Sequence, residues 1–161
     1  FTATGGSGGT GSTSAGQIGG VGGVGGNAGS GGTVTTISGI SAPLGVAINA
    51  GGNLYVTSLS NSEVWVIDPV TNTFVGAPIP VGPTPQGVAV SPGGNIYVSN
   101  LGNDTVSVIN PATNTITGPP ISVGDAPIAV AAKPGGNVYV ANANSGTVSV
   151  IDPGTNAVIA T

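Results

Sequence analysis

The sequence predicts an all-β chain assembled from one repeated four-stranded unit, and three observations carry that expectation. First, Tyr55-Val56-Thr57-Ser58 returns as Tyr97-Val98-Ser99-Asn100 and again as Tyr139-Val140-Ala141-Asn142, each time after 42 residues. Second, the same step separates Gly51-Gly52-Asn53, Gly93-Gly94-Asn95 and Gly135-Gly136-Asn137, and also Val66-Ile67-Asp68-Pro69, Val108-Ile109-Asn110-Pro111 and Val150-Ile151-Asp152-Pro153. Third, the repeats hold short β-branched runs broken by turn residues, with no helical periodicity. Ungapped copies at this period belong to repeat architectures.

The middle repeat shows the elements in order. Gly87-Val88-Ala89-Val90 reads as a first strand and Ser91-Pro92-Gly93-Gly94 as a tight turn. Asn95–Ser99 is a second strand, and Asn100–Asp104 a loop. Thr105–Ile109 is a third strand, and Asn110-Pro111-Ala112-Thr113-Asn114 turns the chain into a weaker fourth near Thr115–Val123. Pro-Gly, Asx-Pro and Gly-Asn pairs mark the reversals because they preset φ or tolerate positive φ. Four short antiparallel strands in about 40 residues make the blade of a β-propeller. Ile109 and Ile151 fall on the serine side of Val106-Ser107-Val108 and Val148-Ser149-Val150. Both sheet faces are therefore apolar, as a blade between two neighbours requires. Gly87, Ala89, Ala129 and Ala131 suit an inner strand crowded near the central channel.

Two segments divide the chain. Residues 1–33 are low complexity, with 15 glycines, and read as a flexible linker whose apolar side chains cannot offset the ordering entropy of glycine. Gly20-Val21-Gly22-Gly23-Val24-Gly25 matches a dinucleotide-binding pattern, but no strand precedes it and no helix follows. Residues 34–161 hold the three blades. Propellers need four to eight blades, so a partial or open ring is expected, closed by further blades of a longer chain or by a second copy. Thr35-Thr36-Ile37 aligns with Ala77-Pro78-Ile79, the later part of a fourth strand, and Ala157–Thr161 supplies the beginning of another.

Composition narrows the chemistry. One basic residue, Lys133, stands against Glu63, Asp68, Asp104, Asp125 and Asp152, for a net charge of −4. Nucleic acid is excluded as a partner, since phosphate neutralisation needs clustered Lys and Arg. The chain has no His, Cys or Met, hence no imidazole base, thiol nucleophile, disulfide or histidine-bound metal. The expectation is a chain that is not an enzyme, with no catalytic residues, no metal and no cofactor. Apolar stretches are interrupted before they reach membrane-spanning length.

Asp68, Asn110 and Asp152 recur ahead of Pro. A calcium-binding ring needs converging oxygens; recurrence spreads these around the ring, so they read as turn openers. Asn61, Asn103, Asp104, Asp125 and Asn144 instead fall in the loops after the second strand or before the first, which share one face of a propeller. Asp104 and Asp125 do not recur, and on a repeated scaffold the loops carry specificity. These five are the binding candidates. Trp65 stands where the other repeats have Ser107 and Ser149, and reads as packing against a neighbour or as a binding anchor.

The motifs Pro85–Asn100, Thr105–Pro111 and Thr113-Asn114-Thr115 resemble the YVTN β-propeller repeat family over residues 34–161, with Val138-Tyr139-Val140-Ala141-Asn142 close to the type pattern and Thr57-Ser58 a departure. That resemblance implies a secreted or cell-envelope surface location and carries no catalytic motif over. Gly5–Gly11 and Gly19–Gly23 look similar to the Gly-rich region of mycobacterial PE-PGRS proteins. The expected function is a non-catalytic interaction scaffold whose loop face binds protein, peptide or glycan. The alternative is a fragment of a propeller enzyme, of lactonase or lyase type, whose catalytic groups lie in further blades.

Overall fold

Asx-Pro and Pro-Gly punctuation chops the β-region into strands too short to do anything but fold back on their neighbours, and the computed structural model, which describes residues 35–161, shows that outcome three times over. The glycine-rich segment and the linker expected there lie outside the described residues. Blade 1 comprises β1 (Pro43–Ile48), β2 (Leu54–Ser58), β3 (Glu63–Asp68), β4 (Thr73–Phe74) and β5 (Ile79–Pro80). Blade 2 comprises β6 (Pro85–Val90), β7 (Ile96–Asn100), β8 (Thr105–Asn110), β9 (Thr115–Ile116) and β10 (Ile121–Ser122). Blade 3 comprises β11 (Pro127–Ala132), β12 (Val138–Asn142), β13 (Thr147–Asp152) and β14 (Ala157–Ala160). All pairings are antiparallel between sequence neighbours, apart from the interrupted outer strand described next.

Three details differ from the sequence expectation. The fourth strand of blades 1 and 2 is interrupted: β4 and β5 both pair with β3, and β9 and β10 both pair with β8. Gly76 and Gly118, at positive φ, break the pairing between the two halves. Asn100 is not in a loop; it ends β7, fully buried, and a 3-10 turn at Leu101–Asn103 follows it. Thr35–Ile37 is in no strand.

The core lies between blades. One cluster joins Tyr55, Val64, Val66 and Ile79 of blade 1 to Val88, Val90, Ile96, Val98 and Ile109 of blade 2. The second joins Tyr97, Val106, Val108 and Ile121 of blade 2 to Val130, Ala132, Val138, Val140 and Ile151 of blade 3. The two lists are one list displaced by 42 residues, so the pattern that makes a blade also makes its joint. Each blade thus has a leading face, met by the blade before it, and a trailing face, met by the blade after.

Polar groups set the spacing of these joints. Gly45 and Gly87 sit in bulges of the inner strands. Their N–H groups donate to Thr57 Oγ1 (2.8 Å) and Ser99 Oγ (2.9 Å). The same hydroxyls donate onward to the next blade, Thr57 to the Gln86 carbonyl (3.0 Å) and Ser99 to that of Ile128 (3.4 Å). A Cβ on Gly45 would stand 2.5 Å from the Gln86 oxygen, and one on Gly87 2.8 Å from that of Ile128. Only glycine admits so close a backbone. At the joint's far end the Tyr55 hydroxyl donates to Asn114 Oδ1 (3.0 Å), and that of Tyr97 to Asn156 Oδ1.

Candidate functional site

The loops that follow each second strand and those that enter each first strand lie together because backbone hydrogen bonds tie them. Leu59 N–H donates to the Ala42 carbonyl, Leu101 N–H to that of Thr84, and Ala143 N–H to that of Ala126. The loop face therefore exists as a surface, and four of the five candidates on it are exposed.

The five do not converge on one point. Asn61 stands alone on blade 1, its Nδ2 donating to Glu63 Oε1 (3.0 Å), which also accepts from Trp65 Nε1 (2.9 Å). Asn103 Oδ1 accepts from the Thr105 hydroxyl (2.8 Å), which accepts in turn from Asn100 Nδ2 (3.0 Å). Asp104, Asp125 and Asn144 gather at the joint of blades 2 and 3. Asp104 is half-buried in a left-handed conformation, and its Oδ1 accepts from the Ala126 N–H (2.9 Å). Asp125, one residue before that donor, accepts at 3.5 Å from Asn144 Nδ2. Asp104 therefore acts first as a clasp between blades, while Asp125 and Asn144 stay open to solvent. Among the described residues no three His, Cys, Asp or Glu side chains come together as a metal-binding group.

The recurring Asx residues occupy the opposite end of the blades and act as turn openers. Asp68 Oδ1 accepts from the Val70 N–H (2.7 Å), Asn110 Oδ1 from that of Ala112 (2.9 Å) and Asp152 Oδ1 from that of Gly154 (2.9 Å). Trp65 packs, tilted, on Phe74 with ring centroids 4.3 Å apart, and is half-buried.

Sequence reasoning passed over two groups. The inner strands β1, β6 and β11 border a cavity of about 350 Å³ lined by Leu44–Val46, Gln86–Val88 and Ile128–Val130, in which Gln86 is the one polar side chain. Its signal was a repeat position reading Leu44, Gln86, Ile128. Asn100 and Asn142 are buried, with Nδ2 donating to Ser107 and Ser149 (2.9 Å each) and Oδ1 without a partner. Their signal was covariation: where blades 2 and 3 have Asn, Thr and Ser, blade 1 has Ser58, Glu63 and Trp65.

Comparison with known proteins places this geometry. A family model described as YNCE-like beta-propeller matches residues 75–161. Hydrazine synthase of Kuenenia stuttgartiensis superimposes with a TM-score of 0.69 at 26% identity, over 79% of this chain and 37% of that one. A streptogramin B lyase superimposes with a TM-score of 0.65 at 14% identity, over 73% of this chain and 39% of that one. The chain thus spans about two fifths of the length of these two solved structures. A PE-PGRS family protein of Mycobacterium tuberculosis is 60% identical over 35 residues, 22% of this chain and 8% of that protein.

These likenesses correct one expectation. The side-chain inventory pointed to a chain that is not an enzyme, yet a synthase and a lyase carry this blade arrangement. Groups reach a propeller's axis from every blade, so the lack of His, Cys and Met in this chain does not by itself exclude an enzyme. With the family model covering more than half its length, the chain belongs to the YNCE-like beta-propeller family.

Proposed function

We propose that this chain is a propeller segment that binds a protein, peptide or glycan on its loop face, at the joint of blades 2 and 3. The supporting observation is the gathering of Asp104, Asp125 and Asn144 there, none of which recurs at its repeat position. With Asp104 Oδ1 committed to the Ala126 N–H, Asp125 and Asn144 are the groups that meet a ligand. A carboxylate beside an amide suits hydroxyls and ammonium groups, and in a chain of net charge −4 it favours neutral or cationic partners.

Peptide and glycan arrays probed with the wild-type chain and with Asp125→Asn/Asn144→Ala test the reading. Binding should fall about tenfold in the double variant and persist in Asp68→Asn, whose side chain opens a turn at the opposite end. Signal unchanged by the double variant overturns it. A second reading, a segment of a propeller enzyme, is favoured by the 26% identity with hydrazine synthase. It puts the substrate in the channel beside Gln86, so Gln86→Leu would remove turnover or binding there and leave the loop face untouched.

A cell-envelope surface location is part of the same proposal, resting on the YVTN-type motifs and on the PE-PGRS likeness. Digestion of the chain by protease added to intact cells checks it. Among the described residues no helix is long and apolar enough to cross a membrane.

A further inference from the structure

The cavity on the inner strands opens beside the loop face. It is lined by the second to fourth residues of β1, β6 and β11, and each of these strands is entered from the loop face through Ala42, Thr84 or Ala126. Inner strands border the channel of a propeller whatever its number of blades, so this wall belongs to the channel of any ring that contains the chain. The ladder between first and second strands loses register from Pro85 to Val88 and from Pro127 to Ala129. Gln86 and Ile128 lie in those bulges, which re-aim side chains out of the sheet's alternation, and both line the cavity.

We propose that this channel mouth and Asp125 form one site for a basic peptide, an aliphatic side chain entering the cavity while a Lys or Arg two positions away meets the carboxylate. The inference rests on the loop-face reading and names its partner. Placement comes first. Gln86 stands where the other repeats have Leu44 and Ile128, and Asp125 where they have Ser41 and Pro83. Both departures from the repeat thus fall at the starts of adjoining inner strands, β6 and β11, which the Ser99 hydroxyl ties through the Ile128 carbonyl. Asp125 precedes Ile128 by three residues, so their Cα atoms lie within about 11 Å. Peptide residues two apart span about 7 Å and point the same way, and their side chains cover the remainder.

The loop carrying the carboxylate is fixed from both sides. Ala126, the next residue, holds φ at 53°. Its N–H donates to Asp104 Oδ1 (2.9 Å), and its carbonyl accepts from the Ala143 N–H (2.8 Å). A partner therefore meets a preformed loop and spends little on ordering it.

The chemistry of the lining selects the partner class. Leu44 and Ile128 offer apolar surface, 58% and 43% exposed, which rewards an aliphatic side chain and would leave sugar hydroxyls without hydrogen bonds. The Gln86 amide has a donor side and an acceptor side, matching the C=O and N–H of a peptide bond. Asp125, in a chain of net charge −4, favours a cation. An aliphatic group, an amide and a cation joined over this span make a peptide with a basic residue.

Chemical-shift titration of the chain with the blocked peptide acetyl-Leu-Gly-Arg-amide tests the proposal, with shifts expected at Asp125, Gln86 and Ile128. Replacing the peptide's Leu by Ser should weaken binding about tenfold or more, and replacing its Arg by Gln about threefold. Neither change touches the protein's fold. On the protein, Ile128→Asn and Gln86→Leu should each weaken binding about fivefold or more, and the Thr57 bond to the Gln86 backbone carbonyl is kept in both. Loss of binding in Asp125→Asn/Asn144→Ala, with Ile128→Asn, Gln86→Leu and the Ser peptide all binding as well as their parents, overturns the channel mouth and leaves the loop-face reading standing. Indifference to the loop variant overturns both. No shifts with the peptide, or a glycan that binds more tightly than it, overturns the basic peptide as partner.

Discussion

Blades 2 and 3 carry nearly the same strands and live in different surroundings. Thr105-Val106-Ser107-Val108-Ile109 differs from Thr147-Val148-Ser149-Val150-Ile151 at no position, yet Val106 is fully buried and Val148 half exposed. Tyr97 is buried with its hydroxyl bonded to Asn156, while the equivalent Tyr139 is 37% exposed. Identical local sequence with unequal burial teaches that in this chain a residue's energetic weight comes from the neighbouring blade. Stability is then distributed as a sum of joints, as in other quasi-one-dimensional repeats.

The widest gap between the blades should open on burying a charge. Val106→Asp puts an unpaired carboxylate in the second core cluster and should cost about 4 kcal/mol in chemical denaturation, whereas Val148→Asp should change the unfolding free energy of the dilute monomer by less than about 1 kcal/mol. Equal losses would break the comparison. The next effect is steric. Gly87→Ala drives a Cβ against the Ile128 oxygen at 2.8 Å and the Val130 nitrogen at 2.9 Å, a strain that should cost about 1–3 kcal/mol; Ala129→Gly, with no blade to approach, should cost the dilute monomer only about 0.5–1 kcal/mol of chain entropy. Thermal melts of the two single variants side by side decide the matter.

Smaller again is the hydroxyl. Tyr97→Phe strands the Asn156 acceptor and should cost about 1 kcal/mol, against a few tenths for Tyr139→Phe in dilute monomer. The subtlest test is pH. Burial, and then the Asp152 carboxylate, raise the Tyr97 phenol above its ordinary value of 10.0. Above pH 10 the unfolded chain releases that proton while the folded chain holds it, so the stability is complete below 10 and is lost as pH climbs toward the folded value. Tyr97→Phe should flatten that alkaline decline, measured as unfolding free energy between pH 9 and about 11.

Most of the blade was legible because its determinants are local. The β-branched runs and the Asx-Pro openers at Asp68, Asn110 and Asp152 each act within a hairpin, and the 42-residue step repeats them from blade to blade. The interrupted fourth strand was not legible, because both halves, β4 and β5, pair with β3 and only the positive φ of Gly76 between them breaks the ladder. Of the candidate site, the loop face was legible from strand order, but the roles were not. Asp104 and Asp125 looked alike as non-recurring carboxylates, and only the Ala126 N–H separates a clasp from an open group. The enzyme question was misjudged because a list of side-chain types says nothing of the company the fold keeps, and a synthase and a lyase share these blades.

By itself the sequence determined the repeat, the strands and the apolar character of both sheet faces, all consequences of side-chain alternation and turn chemistry within a few residues. Only the tertiary structure decided that Thr57 and Ser99 bridge to the next blade, and that Tyr55 and Tyr97 reach asparagines 59 residues away while Tyr139 is exposed. Those contacts depend on how closely one blade's backbone approaches the next. That distance is set by a glycine's missing Cβ meeting a carbonyl from another part of the chain, a pairing no local pattern records.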